Sequence, residues 1–175
     1  MRENYALELR YTHFPLHPET PAAGLTLEEL FAGRGIDMAA MHAQMLQRMT
    51  EEGLPYGERT QTFNSRLAQE LATWAAGQPQ GDRIHDALYR AYFVEGLNLG
   101  KLEVLLEIVD RLGLSRAEAR DVLQSRTYQQ AVDVQWQRCR ALGITGVPTF
   151  VVGQRALVGA QPYTALEQLI LDVDQ

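Results

Sequence analysis

Apolar and polar residues alternate over positions 5–14, the first patterned stretch of the chain. A period of two is typical of a strand with one buried face, so we predict a strand from Tyr5 to Phe14. Prolines follow closely at the end of this stretch and predict an extended loop, because proline interrupts both helices and strand ladders. The apolar positions of the predicted strand are Leu7, Leu9 and Tyr11.

Helical periodicity replaces this alternation over positions 26–142. Thr26 and Glu29 have the spacing of a capping box, which predicts a short helix beginning there, and Ser115 with Glu118 repeats the pattern. Apolar residues recur three and four positions apart in the longer segments, as in amphipathic helices. The predicted helices cover 37–50, 64–76, 82–96, 101–112, 115–123 and 127–142.

The pattern becomes extended again after Gly143. We predict two strands, Thr149–Val152 and Ala156–Gly159, joined by a tight turn around Gly153, since glycine supplies the positive φ that such turns need. A last amphipathic helix is predicted over Pro162–Val173. The order is therefore strand, helical block, hairpin and helix, which indicates an α/β protein.

The overall composition fits one soluble domain with an inserted subdomain. The chain has 175 residues, 46% of them hydrophobic, and a net charge of −6. An acidic protein lacks the basic surface that nucleic acid requires, and no apolar run approaches the roughly 20 residues that cross a bilayer. We therefore expect neither nucleic acid nor a membrane as a partner. A single cysteine and the absence of a signal-like start favour the cytoplasm.

Few side chains suggest catalysis or metal binding. Cys139 lies in a predicted helix between Arg138 and Arg140, which would lower the pKa of an exposed thiol, but free cysteines are usually buried and inert, and we favour that interpretation. The histidines lack the spacing of a metal site, so we expect no metal and no cofactor. The residues weighed for that site are His13, His17, Glu19 and His42.

Two further motifs have a structural and a functional interpretation. Methionines at positions 38, 41, 45 and 49 form a stripe at helical spacing, which we interpret as core, although methionine also lines adaptable apolar grooves. Asn64 or Ser65 is expected to cap the helix that follows, and the alternative is contact of Asn64 to Arg66 with a small substrate.

Five segments together carry a resemblance to a known family. In their order and spacing they resemble the DsbA-like branch of the thioredoxin superfamily, in particular the FrnE-like dithiol–disulfide isomerases grouped with 2-hydroxychromene-2-carboxylate isomerases. The resemblance implies a thioredoxin-like sheet with a large all-helical insertion. It assigns 1–25 and 143–175 to the thioredoxin-like domain, and 26–142 to the insertion and connecting helix. The matching segments are 14–18, 64–68, 87–93, 142–150 and 159–162.

The resemblance also implies a function. Family members exchange thiols and disulfides of proteins or peptides through a Cys-x-x-Cys motif at a helix start, where the dipole stabilises the thiolate. This sequence contains no such motif, so we assign no catalytic residue and expect the chain to be inactive in dithiol exchange. The alternatives are a non-catalytic peptide-binding or dimeric thioredoxin-like protein, and a glutathione-dependent isomerase of the 2-hydroxychromene-2-carboxylate type.

In relatives, a loop with a cis proline faces the substrate, and residues 146–150 match it. The resemblance therefore implies that Val147, Pro148 and Thr149 bind substrate and that the Val147–Pro148 bond is cis. It further implies that the first central strand is absent, which would leave a gap between the strands at 5–14 and 149–152. We expect the gap to be closed by residues before a misplaced start, by direct pairing of the two strands, or by a strand from a partner in a homodimer.

Overall fold

A computed structural model describes residues 4–172 and divides the chain into two compact units. The helical unit is His17–Val132. The hairpin unit combines the described parts of Met1–Leu16 and Asp133–Gln175. The secondary structure elements are β1 (Leu25–Thr26), α1 (Leu27–Leu30), α2 (Met38–Glu51), β2 (Gln61–Thr62), α3 (Arg66–Ala75), a 3₁₀ turn (Gly81–Arg83), α4 (Ile84–Tyr89), a π-helical turn (Arg90–Val94), α5 (Leu102–Arg111), α6 (Arg116–Gln124), α7 (Gln129–Ala141), β3 (Thr149–Val152), β4 (Arg155–Val158) and α8 (Tyr163–Leu171).

The core of the helical unit lies between α3, α4, α5 and α6. Each of these helices places its apolar stripe inward, and burial of these side chains supplies the main driving force for their packing. Each predicted helix after Thr26 is present to within a few residues. The core side chains that are fully enclosed include Leu71, Ile84, Leu105, Leu106, Ile108 and Val109.

Side chains cap the starts of α1, α2 and α6, and the sequence predicts the caps of α1 and α6. Thr26 and Glu29 form the complete capping box of α1. Ser115 accepts a hydrogen bond from the backbone N–H of Glu118, and Asp37 accepts one from Ala40 at the start of α2. These contacts satisfy amides that the first helical turn leaves without a partner.

A close backbone approach determines one connection of the helical unit. Gly81 follows α3, and a Cβ atom there would lie 1.6 Å from the carbonyl oxygen of Ala75. Only glycine permits this contact, which brings the 3₁₀ turn and α4 back against α3.

The hairpin unit is built on the antiparallel pair of β3 and β4. Thr149 is opposite Val158 and Val152 is opposite Arg155, with Gly153 at φ 60° in the turn. The second strand begins one residue earlier than predicted and ends before Gly159. Helix α8 packs on this hairpin and buries Leu169. The end of the predicted helix, Val173, lies outside the described residues.

The predicted strand from Tyr5 to Phe14 is wrong. This segment has no strand structure, and Leu9 and Tyr11 are 50% and 62% exposed. A strand needs a neighbour for its backbone hydrogen bonds, and β3 pairs with β4 alone within residues 4–172. The segment is instead anchored by a side chain, because the Tyr5 hydroxyl donates a hydrogen bond of 2.7 Å to Glu167 on α8.

The other sheet of the described chain is a short antiparallel pair of β1 and β2 in the helical unit. The boundaries between a thioredoxin-like domain and an insertion at 25/26 and 142/143 stay predictions. The helices found between residues 4 and 172 are all too short or too polar to span a lipid bilayer.

Candidate functional site

The loop from Gly146 to Thr149 connects α7 to β3 and is held at both ends. The Thr149 hydroxyl donates a hydrogen bond of 2.7 Å to the carbonyl oxygen of Gly146. The backbone N–H of Gly159 donates one of the same length to the carbonyl of Pro148, and the Val147–Pro148 peptide bond is cis. These two hydrogen bonds hold the loop in one conformation next to the hairpin.

Val147 lies on the surface of this loop. The residue is 48% exposed, and its N–H and C=O make no hydrogen bond with any residue that the structure describes. The edge of β3 opposite β4 likewise has no strand beside it within residues 4–172. An extended polypeptide could form backbone hydrogen bonds along this edge.

Cys139 is buried in α7 and belongs to the same unit as the loop. Its residue exposure is 3%, and its thiol donates a hydrogen bond of 3.6 Å to the carbonyl oxygen of His13. Burial raises the pKa of this thiol, and the opposing charge of Arg138 does not reverse the shift. Because the thiolate is the nucleophile in disulfide exchange, Cys139 is in an environment that suppresses reactivity.

The structure assembles no metal site from the histidines weighed above. Within the described part of the chain, no three His, Cys, Asp or Glu side chains form a group able to hold a metal ion. The ring of His42 instead lies 5.7 Å from that of Tyr56.

The interpretation of the methionine stripe as core is wrong in part. Helix α2 contains no fully buried residue, and Met45 is 37% exposed. One end of the stripe does contact α4, since the hydroxyl of Tyr89 lies 3.7 Å from the sulfur of Met49. Met38 and Met41 are half-buried, whereas Met45 and Leu46 are exposed.

Asn64 supports the start of α3 through its side chain, whereas Ser65 makes no capping hydrogen bond. The Asn64 carbonyl oxygen accepts a hydrogen bond of 2.9 Å from the backbone N–H of Arg66. Its amide nitrogen donates to the carbonyls of Pro18 and Thr20, each at 3.0 Å. The structural interpretation of this motif accounts for all three contacts, since Asn64 fixes the proline-rich loop to α3.

A buried carboxylate between two arginines was not foreseen in the sequence. Glu70 on α3 is 1% exposed and forms ion pairs with Arg66 at 2.7 Å and Arg126 at 2.6 Å. Burial by itself raises the pKa of Glu70, but the hydrogen bonds and charges of the two arginines outweigh it and hold that pKa below its ordinary value. The spacing of Arg66 and Glu70 suits a helical pair, whereas no local signal points to Arg126.

A hairpin with a cis-proline loop, a closing helix and a large helical unit define a thioredoxin-like protein of the DsbA type. The model of the DSBA-like thioredoxin domain family matches residues 1–171. The chain therefore belongs to this family, which confirms the resemblance and the α/β fold with its helical insertion.

Two solved structures and one curated protein illustrate the similarity. A probable DsbA oxidoreductase from Streptomyces coelicolor is 25% identical, with a TM-score of 0.79 over 90% of this chain and 71% of that one. A 2-hydroxychromene-2-carboxylate isomerase is 18% identical, with a TM-score of 0.75 over 98% of this chain and 84% of that one, and shows the fold alone. The uncharacterized protein YwbO of Bacillus subtilis (strain 168) is 32% identical over 110 residues, which are 61% of this chain. The matched residues are 54% of YwbO, so this chain spans about half the length of that relative.

Proposed function

We propose that this chain is the substrate-binding part of a DsbA-like thiol–disulfide oxidoreductase and that Val147, Pro148 and Thr149 bind an extended protein or peptide. The observation that carries the proposal is the exposed Val147, whose backbone groups have no partner among residues 4–172. Strand addition uses such groups directly, and its main-chain hydrogen bonds do not depend on the side chains of the bound polypeptide. This independence suits an enzyme family that acts on many thiols and disulfides.

We further propose that these 175 residues do not catalyse dithiol exchange by themselves. Exchange requires a thiolate that attacks a disulfide and a second thiol that resolves the mixed disulfide. The only cysteine of this sequence is Cys139, which is buried and has a raised pKa. One unpaired thiol in the whole sequence also supports a reducing compartment, the cytoplasm, as its location.

Peptide binding is tested with a cysteine-free unfolded polypeptide, reduced and carboxymethylated α-lactalbumin, added to the ¹⁵N-labelled chain. The expected result is a shift of the Val147 amide resonance, together with slower hydrogen exchange along β3. Val147→Glu should weaken binding, whereas Leu171→Glu, at a similarly exposed position on α8, serves as the matched control. Resonance shifts confined to other parts of the chain would overturn the assignment of this loop.

Redox inactivity is tested separately by the reduction of insulin with dithiothreitol. The native chain and its Cys139→Ala variant should both match the rate without protein. Turnover by the native chain would contradict the proposed inactivity. It would leave the result of the peptide-binding experiment unchanged, because insulin reduction measures catalysis and the resonance shifts measure binding.

A non-catalytic dimer is the second candidate, and it is favoured by the edge of β3 that has no strand beside it within residues 4–172. Two copies that paired along this edge would satisfy each other's backbone groups and cover the open sheet. Light scattering that gave the mass of one chain over a wide concentration range would exclude this arrangement. A dimer mass together with loss of the Val147 response to peptide would support it.

A further inference from the structure

A second surface of interest lies within the helical unit, where Arg59 rests on aromatic rings instead of pairing with a carboxylate. Its guanidinium carbon is 5.3 Å from the ring centre of Tyr92 and 5.4 Å from that of Phe93. Nη1 donates a hydrogen bond of 3.0 Å to the Tyr92 hydroxyl, which lies 3.1 Å from Thr62 Oγ1. Among the described residues, no acidic side chain forms an ion pair with Arg59, and its buried Nε has no acceptor.

The loop that carries Arg59 is fixed against the π-helical turn. The N–H of Gly57 donates a hydrogen bond of 2.8 Å to the carbonyl of Phe93, and a Cβ at position 57 would lie 2.4 Å from the carbonyl oxygen of Val94. The hydroxyl of Tyr89 donates to the carbonyl of Pro55 at 2.8 Å. Arg59 is therefore held in place before any ligand arrives, which lowers the entropy lost on binding.

Aromatic and aliphatic side chains continue this surface on one side. The ring centres of Tyr56 and Phe93 are 6.2 Å apart, and the ring of Tyr56 also contacts His42 on α2. The next turn of α2 adds Met45 and Leu46, which are 37% and 42% exposed. The rings of His42, Tyr56 and Phe93 are half-buried, so part of each ring remains accessible to solvent.

We infer that this face binds a segment of a partner protein that carries apolar side chains and one carboxylate. We define the Arg59 face as Met45, Leu46, Tyr56, Arg59 and Phe93. Tyrosine, phenylalanine, methionine and arginine are the residues enriched at the centres of protein interfaces, where lysine is depleted. The guanidinium has no carboxylate partner and Nη2 has no acceptor among the described residues, so Nη2 is available to an anion. This inference is independent of the function proposed for the Val147 loop.

A polypeptide fits the Arg59 face better than a small molecule. Small-molecule sites enclose most of their ligand, whereas Met45 and Leu46 of this face are exposed and its other side chains are only half-buried. A carboxylate on Nη2 forms a charge-assisted hydrogen bond, and its apolar neighbours would cover Leu46 and the exposed Leu54.

The test uses two fluorescein-labelled peptides with leucine and phenylalanine at helical spacing, one with a single glutamate and its twin with glutamine in that place. Fluorescence anisotropy with the native chain should show at least about threefold tighter binding of the glutamate peptide, the range of a partly desolvated ion pair. Arg59→Met should remove the difference between the twins. Leu46→Glu should weaken both peptides.

Arg83→Met is the matched control, since Arg83 also lacks an acidic partner among the described residues but bonds Gln80 on another part of the surface. It should preserve the preference for glutamate. Equal binding of the twins to the native chain, or no binding, would overturn the inference even if Arg59→Met failed to fold. Saturable binding of phenylacetate without peptide binding would assign the face to small molecules and also overturn it. A dimer that Leu46→Glu dissociates would do the same, because a second copy would then occupy the face.

Discussion

Arg126 holds the buried carboxylate of Glu70 with two hydrogen bonds, one from Nε at 2.8 Å and one from Nη2 at 2.6 Å. The two residues are 56 positions apart, and Arg126 adopts a left-handed backbone with φ 56°. This contact joins the segment that follows α6 to α3. The Glu70 side chain is 1% exposed and that of Arg126 is 40% exposed, so the ion pair is buried on the side of the carboxylate.

Removing one side of this contact should destabilise the protein strongly. In Arg126→Met only Arg66 remains to balance the buried negative charge of Glu70. We expect the free energy of unfolding to fall by about 3 kcal/mol. Urea denaturation followed by circular dichroism measures the change. Arg116→Met, which breaks only exposed ion pairs, should cost less than about 1 kcal/mol. Equal effects of the two substitutions would contradict the structural importance of Glu70.

The carboxylate of Glu70 should make the free energy of unfolding depend on pH in the acid range. Because the pKa of Glu70 is lowered in the folded protein, its contribution is complete above the unfolded-state pKa of about 4.3 and is lost as pH falls through the folded-state value. Glu70→Gln should therefore flatten the decline of unfolding free energy in acid. Glu103→Gln, whose carboxylate pairs with exposed arginines, provides the comparison for an exposed carboxylate. An acid profile unchanged by Glu70→Gln would show that other carboxylates dominate.

The thiol of Cys139 should be unreactive in the folded protein. Burial and a raised pKa both reduce the amount of accessible thiolate, so Ellman's reagent should label the native chain very slowly and label it fully in guanidinium chloride. A double variant with Cys139→Ala and Val134→Cys places a thiol at a 57% exposed position of α7 and should react at once. Rapid labelling of the native chain would mean that Cys139 is accessible.

Gly81 should tolerate no side chain. In Gly81→Ala the new Cβ would meet the carbonyl of Ala75 at 1.6 Å, so the backbone must move, and we expect a loss of more than about 3 kcal/mol or a failure to fold. Gly77→Ala is the matched control, because its Cβ would make only an ordinary contact of 3.6 Å with Trp74. Thermal unfolding of both variants gives the comparison, and a stable Gly81→Ala protein would contradict the packing described for this turn.

The sequence predicted one of the two proposed binding surfaces and missed the other. The match of residues 146–150 predicts a substrate-facing loop, and its residues lie on the surface as a continuation of the hairpin. The Arg59 face was not predicted, because Tyr56 and Arg59 lie in one loop and Phe93 in a distant segment, and each has an ordinary local pattern. Only folding of the loop at 53–60 onto the π-helical turn brings them together.

Local patterns in the sequence predict the helices, the caps of α1 and α6, the final hairpin and the family. Those features depend on contacts between residues close in the chain, such as Thr26 with Glu29, or on segments whose order identifies the family. The tertiary structure alone decided that positions 5–14 are not a strand, that α2 leaves its methionines partly exposed, and that Arg126 meets Glu70. Alternation or helical periodicity shows which face of a segment is apolar, but the partner that covers the face comes from distant parts of the chain. Backbone pairing and burial both require that partner, so the local pattern could not determine either.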